Sequence, residues 1–199
     1  MTGPAGPATG HRVLVLNGPN LGRLGRREPS VYGTATYADL SELCKLTGRE
    51  LGLDVDVRQT EYEGELVTWI HEACDNAVPV VLNAGALTHY SYALMDAVKM
   101  RTAPVVEVHI SNLAAREGFR HESVITGAAT GIIAGFGFQS YVLALQAIAA
   151  QIQDSETPGP LVVRPLSQTA PAPGNSAPGN SAPGNTAPDK RGVQERGIL

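Results

Sequence analysis

Between residues 11 and 153 the apolar positions change their period repeatedly, and this alternation confines the chain to few folds. Residues 11–17, HRVLVLN, read as a strand. Over 37–51, Leu40, Leu43, Cys44, Thr47 and Leu51 recur at steps of three and four, the spacing of one helical face. Over 53–58, Leu53, Val55 and Val57 alternate with Asp54, Asp56 and Arg58, the period of two of a half-exposed edge strand. Helical spacing returns over 65–74 through Leu66, Trp69, Ile70, Ala73 and Cys74. The runs 79–83 and 104–110 are continuous apolar strands opened by Pro79 and Pro104, a residue tolerated at the first position of a strand. Residues 91–101 between them are helical through Leu94, Ala97 and Val98. A short buried strand is expected around 132–134, and a last helix is expected from near Gln139 to Ile152 through Leu145 and Ile148. Strand and helix alternating about five times specify a parallel sheet wrapped by helices, and right-handed crossovers leave few topologies. The expected class is α/β, a flavodoxin-like doubly wound parallel sheet of five strands with helices on both faces. In such folds ligands lie beyond the carboxyl ends of the strands.

The remaining sequence divides into a flexible N-terminus, 1–10, and a tail, 154–199. Eight of the fourteen prolines lie between Pro158 and Pro188, the tail has no aromatic residue, and Ala-Pro-Gly-Asn-Ser/Thr occurs three times from Ala172 to Thr186. Such a segment buries too little apolar surface to offset its ordering entropy and is expected to be disordered. The N-terminus has no apolar core of the secretory type. The segment 127–153 has no charged residue and matches a bilayer in length. Its glutamines and its glycines at 127, 131, 135 and 137 favour two water-soluble elements instead. A net charge of -4 and a pI near 5.7 give no electrostatic footprint for nucleic acid or an anionic membrane. Cys44 and Cys74, both on helical segments, form neither a disulfide framework nor a metal centre, and a reducing cytoplasm fits them.

The stretch 17–33, NGPNLGRLGRREPSVYG, follows the first strand directly. Four glycines and two prolines argue against a continued strand or a helix there and leave a mobile loop. Arg23, Arg26, Arg27 and Tyr32 within it suit a lid over an anion, since guanidinium groups grip carboxylates or phosphates bidentately. The other strand ends carry Asn83 with the following His89, just where the third helix begins, and Glu107, His109, Ser111 and Asn112 with the following Arg116 and Arg120. Alternation puts Glu107 and His109 on one face, where the carboxylate can hold one ring nitrogen and fix the tautomer of the other: a general acid with its orienter. No dinucleotide or P-loop fingerprint is completed, so a small polar acid suits the mouth better than a nucleotide. His71 and Cys74 lack further metal ligands, His121 has no obvious partner, and His11 reads as a surface residue.

Taken together, NGPNLGRLGRREPSVYG, the EGEL of 63–66, NAGALTH with Asp96, and EVHISN followed by AREGFR resemble the signature blocks of type II 3-dehydroquinate dehydratases, in order over residues 11–153. The resemblance implies loss of water from 3-dehydroquinate to give 3-dehydroshikimate, without cofactor or metal, through an enolate. By position Tyr32 resembles the proton acceptor and Arg27 the neighbour that favours its anion. His109 resembles the proton donor, oriented by Glu107, and Asn20 the residue that holds a water near the enolate oxygen. Asn83, His89, Ile110, Ser111 and Arg120 match the substrate-binding set. Asp96 in the family reaches the site of an adjacent subunit, which implies a homododecamer built from trimers. The chain departs from the usual pattern at Glu61, Met95 and Ala114. A role in quinate breakdown rather than aromatic biosynthesis, a non-catalytic flavodoxin-like module and a degenerate assembly paralogue remain open as alternatives.

Overall fold

The strand β1, His11–Asn17, occupies the middle of the molecule because Val13, Leu14, Val15 and Leu16 are apolar on both faces; all four have 0% exposure. A strand buried on both sides needs a layer on each. In this computed structural model, which describes residues 10–25 and 35–156, the two layers follow the pleat. Val13 and Val15 pack with Leu40 and Cys44 of α1 (Tyr37–Glu50) and with Leu145 and Ile148 of α4 (Gln139–Glu156). Leu14 and Leu16 pack with Leu66 and Ile70 of α2 (Glu63–Asp75) and with Leu94 and Val98 of α3 (Tyr92–Lys99). Each such burial contributes about 1.5–3 kcal/mol, so the central strand holds the two layers together.

The other strands are β2 (Leu53–Gln59), β3 (Val80–Asn83), β4 (Val105–His109) and β5 (Gly131–Ala134), all parallel, in the order β2-β1-β3-β4-β5. This is the expected flavodoxin-like doubly wound order. Winding reverses between β1 and β3, and a crevice opens there at the carboxyl ends. The two prolines sit one residue before β3 and β4. Having no N–H, each contributes its carbonyl instead: Pro79 accepts from the Leu14 N–H at 3.0 Å and Pro104 from the Val80 N–H at 2.9 Å.

Four expectations need correction. β5 is not buried: it is the far edge of the sheet, and although Ile133 packs against the α1 and α4 layer, Ile132 on the opposite face is 41% exposed. The loop after β1 is not free of helix, because Leu21–Arg23 forms a 3-10 turn whose Leu21, with Leu24, is buried in the core. Apolar anchors at its start thus tie down what glycine content alone presents as mobile. His89 does not open the third helix; it ends a 3-10 turn, Gly85–His89, and α3 begins at Tyr92 with Ser91 as its cap. Finally, α4 continues to Glu156, beyond the expected end at Ile152. Residues 1–9, 26–34 and 157–199 lie outside the described residues; of the expected tail, 154–199, only 154–156 are described, and they are helical.

Candidate active site

The carboxyl ends of β1, β3 and β4 surround one cleft. Its walls come from Asn20, Leu21 and Arg23 after β1, from Asn83, Ala86 and His89 after β3, and from His109, Ile110, Ser111, Arg116 and Arg120 after β4. The sheet therefore brings together residues spread over some hundred positions of sequence. The closeness of β1 and β3 depends on Gly18: a Cβ there would stand 2.5 Å from the Ala84 carbonyl oxygen, and the Gly18 N–H instead bonds to the Asn83 carbonyl at 2.8 Å. Gly85 faces it with φ +60, a left-handed conformation that glycine adopts without strain.

Behind the cleft stands a buried anion. Glu107 has 0% exposure, and His109 has 5%. His109 Nε2 lies 2.8 Å from Glu107 Oε1, as their shared strand face implies. Three hydroxyls also donate to this carboxylate: Thr88 Oγ1 at 3.1 Å and Ser123 Oγ at 2.8 Å to Oε1, and Thr126 Oγ1 at 2.5 Å to Oε2. Burial raises the pKa of Glu107, but the bonds from His109, Thr126 and Ser123 outweigh it and leave the group below the usual carboxylate range. An ionised Glu107 can only accept, so His109 donates from Nε2 and keeps Nδ1 for the cleft. That is the arrangement of a general acid or base with a fixed ring.

A second buried network fixes the cleft floor. Tyr141 Oη, at the start of α4, donates to Asn17 Oδ1 at 2.7 Å and accepts from Asn83 Nδ2 at 2.8 Å. Asn17 Nδ2 in turn donates to the Arg58 carbonyl at 3.1 Å, and Asn83 Oδ1 accepts from the Gly85 N–H at 3.2 Å. At the mouth, Asn20 has φ 69, a conformation that asparagine tolerates better than most residues, and its N–H bonds to Glu61 Oε2 at 2.8 Å. Glu61 Oε1 accepts from Gln59 Nε2 at 2.9 Å. The departure at Glu61 thus tethers the first turn of the loop. Arg116 and Arg120 both reach Glu117 Oε2, at 3.3 and 3.1 Å, so a carboxylate offsets part of the mouth's charge. Arg120 also lies over the Phe119 ring, 4.8 Å from its centroid, with His89 edge-on to the same ring.

The cleft therefore gathers Asn20, Asn83, His89, His109, Ile110, Ser111 and Arg120, with Arg23 and Arg116 beside them and Glu107 behind. Asp96 is not among them; it is exposed on α3 and 3.4 Å from Lys99 Nζ. Arg26, Arg27 and Tyr32 lie outside the described residues. His121 does have a partner, the Arg116 carbonyl, 2.8 Å from its Nε2. His71 is exposed and Cys74 half-buried on α2. Met95 packs against the α2 and α3 layer, and Ala114 is exposed. Sequence reasoning missed Thr88, Ser123, Thr126 and Tyr141. Thr88 lay unassigned inside NAGALTH, and the one aromatic residue of the last helix, near its head, was a signal for Tyr141. Ser123 and Thr126 stand in irregular chain, where no spacing marks them.

A histidine held by a buried carboxylate, opening into a cleft of amide and guanidinium groups at the strand ends of a doubly wound sheet, defines a small-molecule enzyme of the acid–base type. Comparison with known proteins makes this specific. The family model described as Dehydroquinase class II matches residues 11–149, and the chain belongs to that family. A relative named 3-dehydroquinate dehydratase, from Salinispora arenicola (strain CNS-205), is 62% identical over 140 residues, covering 70% of this chain and 98% of the relative. One of the same name from Thermus thermophilus is 55% identical over 142 residues, covering 71% and 95%. Among solved structures, the type II dehydroquinase of Propionibacterium acnes superimposes with a TM-score of 0.70 at 55% identity, covering 71% of this chain and 98% of that one.

Proposed function

We infer that this chain is a 3-dehydroquinate dehydratase, a hydro-lyase that removes water from 3-dehydroquinate and serves the shikimate pathway. The observation that carries the reading is the Glu107–His109 pair opening into the β1/β3/β4 cleft, within the residues the family model matches.

The reaction needs a base for a proton beside a ketone and an acid for the departing hydroxyl. In our reading the Tyr32 phenolate takes the proton, giving an enolate. A free tyrosine has a pKa of about 10, and Arg27, by its match to the family pattern, is the cation that favours the anion. The enolate then expels the hydroxyl, which leaves as water with a proton from His109 Nδ1, and the new double bond is conjugated with the ketone. Glu107 balances the imidazolium through Nε2. Asn20 holds a water near the enolate oxygen, while Asn83, His89, Ile110, Ser111 and Arg120 bind the substrate. Asp96, exposed and not among the residues that line its own cleft, completes the site of a neighbouring subunit in a dodecamer built from trimers. No helix among the described residues is long and apolar enough to cross a membrane, and we place the enzyme in the cytoplasm.

Mixing purified protein with 3-dehydroquinate is expected to produce a conjugated-enone absorbance, and folded protein that gives none would reject the activity. Tyr32→Phe is expected to lower turnover about 10²–10⁴-fold, the range for loss of an acid–base group. Near-normal turnover would remove Tyr32 from its role.

A further inference from the structure

Glu107 makes more contacts than orienting His109 requires. Its hydroxyl donors come from different segments. Thr88 belongs to the turn after β3 and directly precedes His89. Ser123 and Thr126 belong to the connection that follows Arg120. Ser123 Oγ, while donating to Glu107, also accepts from the N–H groups of Ile125 and Thr126 at 3.0 Å each, so one hydroxyl both closes a turn and ties it to the carboxylate. The same two segments are joined again by the Val124 N–H bonded to the Thr88 carbonyl at 3.0 Å and by His89 Nδ1, 2.7 Å from the Glu122 carbonyl. Three cleft walls, bearing His89, His109 and Arg120, therefore meet at one buried carboxylate.

We propose that Thr88, Ser123 and Thr126 are positioning residues: their hydroxyls hold Glu107 as a fixed acceptor that keeps His109 bonded through Nε2 and aligns the segments bearing His89 and Arg120. The proposal rests on the dehydratase reading for its kinetic test only. Of the charged or titratable neighbours, His109 shares the strand, His89 follows Thr88, Glu122 precedes Ser123, and Arg116 and Arg120 line the cleft beyond. Thr126 is the cleanest probe, because its hydroxyl alone of the three serves Oε2.

The sign of the effect follows from the bonding. Hydrogen bonds hold the Glu107 pKa below the usual range, so removing a donor raises it, and the pair loses its charge at higher pH. In Thr126→Val the titration midpoint of Glu107 is expected to move up by about one to two pH units, the equivalent of one hydrogen bond to a charged group. KM should rise, because the segment that follows Arg120 loses a tie to Glu107, and Thr126→Ser should restore both the midpoint and KM. Ser123→Ala, which also releases the turn, should raise KM as well, and it replaces Thr126→Val if that variant fails to fold. The carboxyl carbon of Glu107, followed by 13C NMR and assigned with Glu107→Gln, should show the same upward shift whether or not the protein turns over. An inactive wild type would thus reject the dehydratase reading and leave the NMR comparison to decide this one. A Glu107 titration midpoint that is unmoved by loss of the hydroxyl would overturn the proposal.

Discussion

His109→Ala is expected to lower kcat about 10²–10⁴-fold, because the leaving hydroxyl then departs without its proton donor. The variant is also expected to be less stable. Glu107 has 0% exposure and loses its imidazole partner, leaving hydroxyl donors around a buried carboxylate. Losing one hydrogen bond to a buried charged group costs about 1.5–3 kcal/mol. The two effects separate by experiment. Chemical denaturation measures the stability loss, and kcat is taken at a temperature where circular dichroism shows the variant folded. A folded variant that keeps kcat within about threefold of wild type would remove His109 from the proton-donor role. A variant with no loss of stability would show that Glu107 is held by its hydroxyls alone.

Tyr141→Phe, a change of one oxygen, is expected to destabilise the fold by about 1–3 kcal/mol, the cost of leaving a buried polar group without its partner. Burial pushes the phenol well above its usual range, so at any ordinary assay pH it is a neutral group that can donate to Asn17 and accept from Asn83 at once. Phenylalanine fills the same space and does neither. The loss falls on both amides, since Asn17 Oδ1 loses its donor and Asn83 Nδ2 its acceptor. Asn83 lines the cleft, and a loosened amide there is expected to raise KM. In urea the midpoint should fall with the slope unchanged, the signature of lost stability without a change in the surface exposed. A midpoint equal to that of wild type would mean that a water replaces the phenol oxygen without penalty.

Much of this architecture is legible in the sequence. Periodicity marks the strands and helices because burial on one face or two imposes its period directly on the side chains: β2 alternates because it is an edge, and β1 does not because it is central. The edge position of β5 is not legible. A run such as Ile132-Ile133 has the same composition whether one face or both are covered, and only the sheet order reveals that no further strand follows among the described residues. The 3-10 turn at Leu21–Arg23 is hidden for a related reason, since the glycines argue against helix while the burial that anchors Leu21 and Leu24 is a tertiary fact.

The site divides along the same line. Glu107 and His109 are readable as a pair because two residues on one strand share a face whatever the rest of the chain does. Asn20, Asn83, His89, Ile110, Ser111 and Arg120 are assigned through resemblance, and the crevice between β1 and β3 gathers them into one cleft. The hydroxyls on Glu107 and the phenol between Asn17 and Asn83 become visible only in three dimensions. By itself the sequence determined the period of each segment, hence the layered fold and the strand-borne acid pair, because these depend on neighbours along the chain. The tertiary structure alone decided which distant Thr, Ser and Tyr groups satisfy the buried carboxylate and amides, because a hydrogen bond depends on separation in space.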